Sequence, residues 1–474
     1  MDKQKQEFKP SFGVALIPLI GLMLCLGIGY GYYRFPTQVC MMAAAAIAAI
    51  TANAIGLSWT QMMDGIKEKI NLSLPSIMIM ICVGGMISSW IFSGTIPMMI
   101  YYGIEIINPQ YLFVTAFFVC AIISSFTGTS FGSAGTAGVA IMGVAIATGA
   151  PLAITAGAVL SGAVFCDKMS PFSDTTILAP IAADCDLYDH IRHMMYTTGA
   201  ASIVAIIVYV FAGMNLPAGS LNDAKLVNEM LGTLSKAFNF NILLLLPPAL
   251  IIIGAYLKRP TIPVMVAASF VAIILGMMFQ DFSFANGVKA FYSGFNVNMA
   301  GLDPKTTIPQ IKTLLNRGGL MSMMSTILLI ICAISFGGIY SASGCIKVIL
   351  EKLTSSIKSV GGLITSTVAG TIFMSLVTGS SYLAILVPGE IFRGAYDQMG
   401  LAHKNLSRTL EDAGTCVVPL VPWAIAGTFM SKTLGVPTLE YLPWAVMLYS
   451  SFIFAIIYGF TGLFIAKAED EKIE

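Results

Sequence analysis

The stretch Phe165-Cys166-Asp167-Lys168-Met169-Ser170-Pro171-Phe172-Ser173-Asp174-Thr175-Thr176 sets two carboxylates, a lysine and four hydroxyls between apolar segments. No Asp, Glu, Lys or Arg occurs from Ile106 to Cys166, so these charges arrive abruptly. Pro171 lacks a backbone donor and stops a helix, which frees carbonyl oxygens. Carboxylate, hydroxyl and carbonyl oxygens are the ligands of hard cations, and Na+ is the monovalent case. An ionisable group at membrane depth costs about 2.5–3.5 kcal/mol on insertion scales, which makes it a functional candidate by default. The alternative is a loop at the membrane surface. The apolar residues 177–183 that follow at once argue against it.

Two further constellations share this chemistry. Asp412, in Glu411-Asp412-Ala413-Gly414-Thr415-Cys416, precedes a second proline-broken apolar segment, and 412 − 167 = 245. A helix N-cap is its structural alternative, and Glu411 is expected in solvent. The tetrads Thr127-Gly128-Thr129-Ser130 and Thr378-Gly379-Ser380-Ser381 lie 378 − 127 = 251 residues apart. Glycine permits positive φ there, and the hydroxyls with the freed backbone can hold an ion. A half-helix N-terminus at the same place could equally hold the carboxylate of an organic substrate. The candidate ion- or substrate-binding residues are therefore Asp167, Asp174, Ser173, Thr175, Asp412, Thr129, Ser130, Ser380 and Ser381. Asp167 and Asp174 are the expected exchange carboxylates for Na+, with no catalytic residue and no cofactor. Gly132, Gly135 and Gly138 read as helix-packing positions, and Glu390 as a surface partner of Arg393. Residues 184–193, with Asp184, Asp186, Asp189, His190 and Arg192, read as a solvated loop.

What must position these groups follows from the rest of the 474 residues. Only 10% are Asp, Glu, Lys or Arg, while 57% are hydrophobic and mean hydropathy is +0.84. A soluble domain carries roughly 25% charge. The apolar residues run the whole length, which excludes a soluble enzyme, a disordered scaffold and a signal-anchored soluble domain. A net charge of +1 leaves no footprint for nucleic acid. The nine cysteines have no C-x-x-C pair and read as small buried hydrophobes. Apolar windows near the ~20 residues needed to cross hydrocarbon recur from residue 12 to residue 466. They predict an all-α polytopic membrane protein of about 10–13 segments, some of them half-helices or re-entrant hairpins.

The halves repeat. Ile81-Cys82 and Ser93-Gly94-Thr95-Ile96 recur as Ile331-Cys332 and Ser343-Gly344-Cys345-Ile346, at 331 − 81 = 250 and 343 − 93 = 250. Gly65-Ile66-Lys67 matches Gly287-Val288-Lys289 at 287 − 65 = 222, so about 28 residues are inserted, with 295–317 the natural place. The expected domains are a first membrane repeat over 11–213, a linker over 214–239 and a second membrane repeat over 240–466. Fused repeats are the usual build of secondary transporters, with the site at their interface. Lys3, Lys5, Lys9, Lys67, Lys69, Lys258, Arg259, Lys347, Lys352 and Lys358 favour a cytoplasmic N-terminus by the positive-inside rule, which Lys305, Lys312 and Arg317 fit poorly.

The run Ser161 to Thr176, the Ser/Thr/Gly stretch before it and Asp412-Ala413-Gly414-Thr415 together resemble the NhaC family of bacterial sodium/proton antiporters, over nearly the whole chain. Cys166 stands where that family usually has glycine. The resemblance implies inverted repeats with broken helices or hairpins at the centre, and Na+/H+ exchange in the bacterial cytoplasmic membrane. The family also includes exchangers of malate and lactate, so a coupled organic-acid antiporter is the alternative. An intramembrane aspartyl hydrolase built on Asp167 and Asp412 is a third reading. The expected partners are Na+ and H+, a small carboxylate in the alternative, the lipid bilayer and a second copy in a homodimer. Taking a carboxylate out of water disfavours its charged form. A proton or Na+ can neutralise it, but not both fully, and that competition is the expected basis of exchange.

Overall fold

In lipid an apolar run can satisfy its backbone only within itself. The computed structural model of the chain is helical throughout, with one isolated bridge, Leu401 to Lys467, among the described residues. Those residues are 9–171, 173–216, 224–257, 259–354 and 357–468. Lys3, Lys5, Phe172, Lys258 and the side chain of Cys166 fall outside them. Nine helices among the described residues are long and apolar enough to cross a membrane, and the spans reach thirteen if each of four bent pairs is one crossing. The chain is a multi-pass membrane protein.

The first half runs through α1 (Phe12–Tyr32), α2 (Thr37–Ala54), α3 (Trp59–Ser93), α4 (Thr95–Ile106), α5 (Leu112–Thr127), α6 (Ser130–Thr148), α7 (Leu152–Met169), α8 (Asp174–Ala183) and α9 (Leu187–Met214). The middle holds α10 (Ala224–Ala237), α11 (Leu246–Tyr256), α12 (Thr261–Gln280), α13 (Phe284–Ser293) and α14 (Pro309–Leu315). The rest is α15 (Met324–Ala342), α16 (Cys345–Thr354), α17 (Val360–Thr378), α18 (Ser381–Gln398), α19 (His403–Val417), α20 (Ile425–Leu434) and α21 (Val446–Thr461). Several stretches that read as polar connections are helix. Residues 59–73 are the start of the 35-residue α3, opened by a Ser58/Gln61 capping box. Residues 224–237 form α10, which lies on α4.

Two hairpins and two broken helices make the centre. Chain reversal at Gly128 brings Ser133 Oγ to Cys120 O at 2.7 Å, so α5 and α6 form the first hairpin. α17 and α18 form the second, with Phe392 folded back onto Gly370. After each hairpin the chain re-enters as α7 then α8, and as α19 then α20. The second of these pairs bends by only 48°, so it continues through the membrane rather than turning back. α19 starts at the base of the second hairpin, and α20 ends beside Ile146 and Leu152, at the base of the first. The two hairpins thus enter from opposite faces, here face 1 for the α5–α6 hairpin and face 2 for the α17–α18 hairpin.

Local geometry recurs between the halves. Ser93 Oγ donates to Trp90 O (3.0 Å) and accepts from the Thr95 N–H (3.3 Å). Ser343 repeats this with Tyr340 O (2.7 Å) and the Cys345 N–H (3.4 Å). Gly128 and Gly379 have φ +62° and are followed by extended Thr129 and Ser380. The start of α3, carrying Lys67 and Lys69, reaches Gly338 near the end of α15, and α16 with Lys347 and Lys352 follows there on face 2. Arg317, which fitted a cytoplasmic position poorly, lies on face 1 beside the end of α20.

Candidate functional site

The hairpin turns put Thr129, Ser130, Ser380 and Ser381 at one depth, with the second arms α6 and α18 presenting their N-termini. The break after α7 adds Asp167 from its last turn, then Ser173 and Asp174 at the start of α8. All of these, with Thr175, Tyr382 and Thr415, line one cavity of about 120 Å³. Ile425 and Ala426, at the start of α20, close its far side, where the Ile425 N–H donates to Gly379 O at 3.0 Å. Of the sequence-predicted site residues, only Asp412 does not line this cavity.

Asp167 is half-buried and is met by hydroxyls. Ser173 Oγ donates to its Oδ1 at 2.7 Å, and Ser130 offers both its side chain and its backbone N–H. Thr176 Oγ1 ties the chain at the break, donating to the carbonyls of Asp167 and Lys168 at 2.9 Å each. Asp174 is exposed, and its Oδ2 accepts from Tyr382 Oη of the second hairpin at 3.0 Å. The buried Ser380 Oγ has no hydrogen-bond partner among the described residues, and Ser380 lines the cavity. Tyr382 did not stand out in the sequence, although it follows the tetrad directly.

Asp412 sits one layer deeper. It lies within α19, so it is neither an N-cap nor a solvated residue, and it is fully buried with Lys168 as its ion-pair partner. Thr197 Oγ1 of α9 donates to the same Oδ1 at 3.0 Å. The hairpin turns and the half-helices recur at a spacing of 251 (379 − 128 and 425 − 174). At that spacing 412 − 251 = 161, so Asp412 matches Ser161 rather than Asp167. With Asp412 held by Lys168 and Asp167 facing the cavity, the two do not share a proton as an aspartyl dyad would.

Other expectations are corrected by burial. Glu411, expected in solvent, is fully buried; Thr415 Oγ1 donates to its Oε1 at 2.8 Å and the Thr175 side chain reaches it from α8. The Glu411-to-Thr415 spacing of four residues was the available sign. His190 and His193, expected in a loop, are buried on α9 against Ser407 (2.8 Å) and Asn405 (3.1 Å) of α19. Asp186 caps α9 instead of lying in a loop, its carboxylate accepting from the Tyr188 N–H at 2.7 Å. Glu390 is exposed, but its expected partner Arg393 turns to Ala182 O at 2.8 Å and to the Asp184 carboxylate at 3.9 Å.

The family model described as "Na+/H+ antiporter family" matches residues 14–214 and 162–463. The chain is 45% identical over 453 residues to an uncharacterized Na+/H+ antiporter of Haemophilus influenzae, covering 96% of each chain. It is 38% identical over 468 residues to the Na+/H+ antiporter NhaC of Alkalihalophilus pseudofirmus, covering 98% of each. It is also 32% identical over 460 residues to the malate-2H+/Na+-lactate antiporter of Bacillus subtilis, covering 97% of each.

Proposed function

Because the chain belongs to the Na+/H+ antiporter family, we propose that it exchanges Na+ for H+ across the membrane, by alternating access to the cavity where the hairpin turns meet. The observation that carries this is an oxygen-only donor set around one half-buried carboxylate. Asp167 is surrounded by hydroxyls and by the backbone of two broken segments, and Ser380 Oγ is left over as a ligand. A proton on Asp167 removes the charge that draws Na+, and Na+ on it disfavours the proton. Asp174 adds a second carboxylate that Tyr382 orients. Behind them, Lys168 and Asp412 cancel each other, so net charge in the site is set by what Asp167, Asp174 and the buried Glu411 hold.

In this reading residues 11–213 and 240–466 are inverted repeats, joined by 214–239, with the cavity at their interface. Positive-inside reasoning makes face 2, with Lys67, Lys69, Lys347 and Lys352, the cytoplasmic side. Size favours an ion over an organic acid. About 120 Å³ is well below the roughly 300–1,000 Å³ of small-molecule sites.

The test is exchange by purified protein in liposomes, with an internal pH dye and an imposed Na+ gradient. Na+-driven proton movement is expected from the wild type and not from Asp167→Asn, which keeps size and fold. Unchanged exchange by Asp167→Asn defeats the assignment of that residue. Labelled malate or lactate uptake with no Na+/H+ exchange in its absence would establish the organic-acid reading instead.

A further inference from the structure

The half-helices α8 and α20 match in length and register, since 425 − 174 = 251 and 434 − 183 = 251. Each begins at the ion cavity and ends in a left-handed residue, Asp184 (φ +66°) or Gly435 (φ +75°), again 251 apart. Each also has one carbonyl of its last turn held by an arginine. Arg393 Nη2 donates to Ala182 O at 2.8 Å, and Arg317 Nη2 donates to Thr433 O at 2.8 Å. The carbonyls obey the same spacing, 433 − 182 = 251. The arginines do not: Arg393 belongs to α18 of the second hairpin, whereas Arg317 follows α14 in the segment that the first half lacks. One contact is thus made twice, at equivalent places, from unrelated parts of the sequence.

The last carbonyls of a helix lack intrahelical partners and carry the negative end of its dipole, so a guanidinium there is held by hydrogen bond and field together. Ten residues span ~15 Å, half the ~30 Å hydrocarbon core. Each clasp therefore sits at one face while the other end of its half-helix lines the site. The Arg393 clasp is at face 2, where the second hairpin enters, and the Arg317 clasp is at face 1. On face 1 a separate cavity of about 700 Å³ runs along α20 from Gly435 to Pro422, with Arg317 on its wall. α20 borders both cavities, lining this one from Thr428 to Leu434 and the ion cavity through Ile425 and Ala426.

We propose that Arg317 and Arg393 are paired positioning residues, each holding the half-helix that closes the passage on its own face, and that the transport cycle releases them in turn. This rests on the alternating-access reading above and adds the elements that gate each side.

The variants are R317M and R393M, which remove the donor and keep the chain length, with R317K and R393K to restore a cation, all in the full chain. Transport is read in liposomes of defined orientation, as the ratio of apparent Na+ KM from face 1 to that from face 2. R317M is expected to move this ratio about tenfold toward tighter apparent binding from face 1, the scale of a charge-assisted hydrogen bond. R393M is expected to move it about as far the opposite way. The Lys variants should recover most of each shift, and the double Met variant should return the ratio to wild type with lower kcat. Hydrogen–deuterium exchange is read in parallel and needs no transport. R317M should raise exchange in residues 425–435 alone, and R393M in 174–184 alone. Shifts of the ratio in the same direction, or a ratio unchanged in both, overturn the proposal, as does exchange that moves in neither half-helix. A wild type without Na+/H+ exchange overturns the functional reading instead, and the exchange data then still decide the clasps.

Discussion

Lys168→Met isolates the Asp412 carboxylate in the centre of the protein. Both partners of the pair are fully buried. Once the ammonium is gone, Asp412 Oδ1 keeps only the Thr197 hydroxyl, and its Oδ2 has no partner among the described residues even in the wild type. Breaking a buried pair from one side costs about 3–5 kcal/mol, because a charge is left uncompensated. Unfolding entropy near 2.1 cal/mol/K per residue gives about 1 kcal/mol/K for 474 residues, so the midpoint should fall by about 3–5 °C. Unfolding in detergent is commonly irreversible, so midpoints are compared at one scan rate, by fluorescence-detected size exclusion after heating. Asp412→Asn should cost about as much, since it strands the ammonium. Lys168→Met with Asp412→Asn removes both charges and should recover most of the loss, a coupling of about 2 kcal/mol or more. Losses that simply add in the double variant would refute the pairing. So would a Lys168→Met protein as stable as wild type. If the pair serves only to neutralise its own layer, the double variant also keeps Na+/H+ exchange.

On the proposed role of Ser380 as an ion ligand, Ser380→Ala removes a hydroxyl without a partner among the described residues, so Na+ KM should rise about five- to tenfold with the thermal midpoint unchanged, measured by the liposome dye assay. Gly379→Ala forces a side chain into φ +62° and sets its Cβ 3.1 Å from Ala424 Cα; about 1–2 kcal/mol of strain is expected. It should lower the midpoint by roughly 1–2 °C, and exchange by more than its stability. Asp167→Asn should abolish Na+-driven proton movement in the same vesicles while eluting as folded protein.

What could be read from the sequence was whatever carried its own contrast. A carboxylate after 61 uncharged residues marks itself, and so does a Thr-Gly-hydroxyl tetrad that occurs twice, because the glycine's backbone freedom and the hydroxyls sit in one tetrapeptide. Asp167, Ser173 and the two turns were legible for that reason. The layer behind them was not. Glu411 was expected in solvent, yet α19 is enclosed by α8, α9, α18 and α21, and from Asn405 onward every residue is buried. Its partners are remote in the chain: Lys168 is 244 residues from Asp412, and His190 is 217 from Ser407. Nothing local announces a pairing across such a distance. The polar start of α3 misled differently, since a 35-residue helix is about 52 Å long and runs on beyond the hydrocarbon as polar sequence.

The half-helix α8 packs on α18 and α19, which the ribosome makes much later. From Ala183 to Val360 is 177 residues. At roughly 5–20 residues per second that is a delay of about 10–35 s, in which the first hairpin and Asp167 exist without their cover. Broken backbone and a carboxylate cannot face lipid for that time. The first half must therefore wait at a wet boundary, beside the insertion machinery or near the headgroups, and its hairpin seats only when the second arrives. Assembly of the site is thus a late, joint event of both halves.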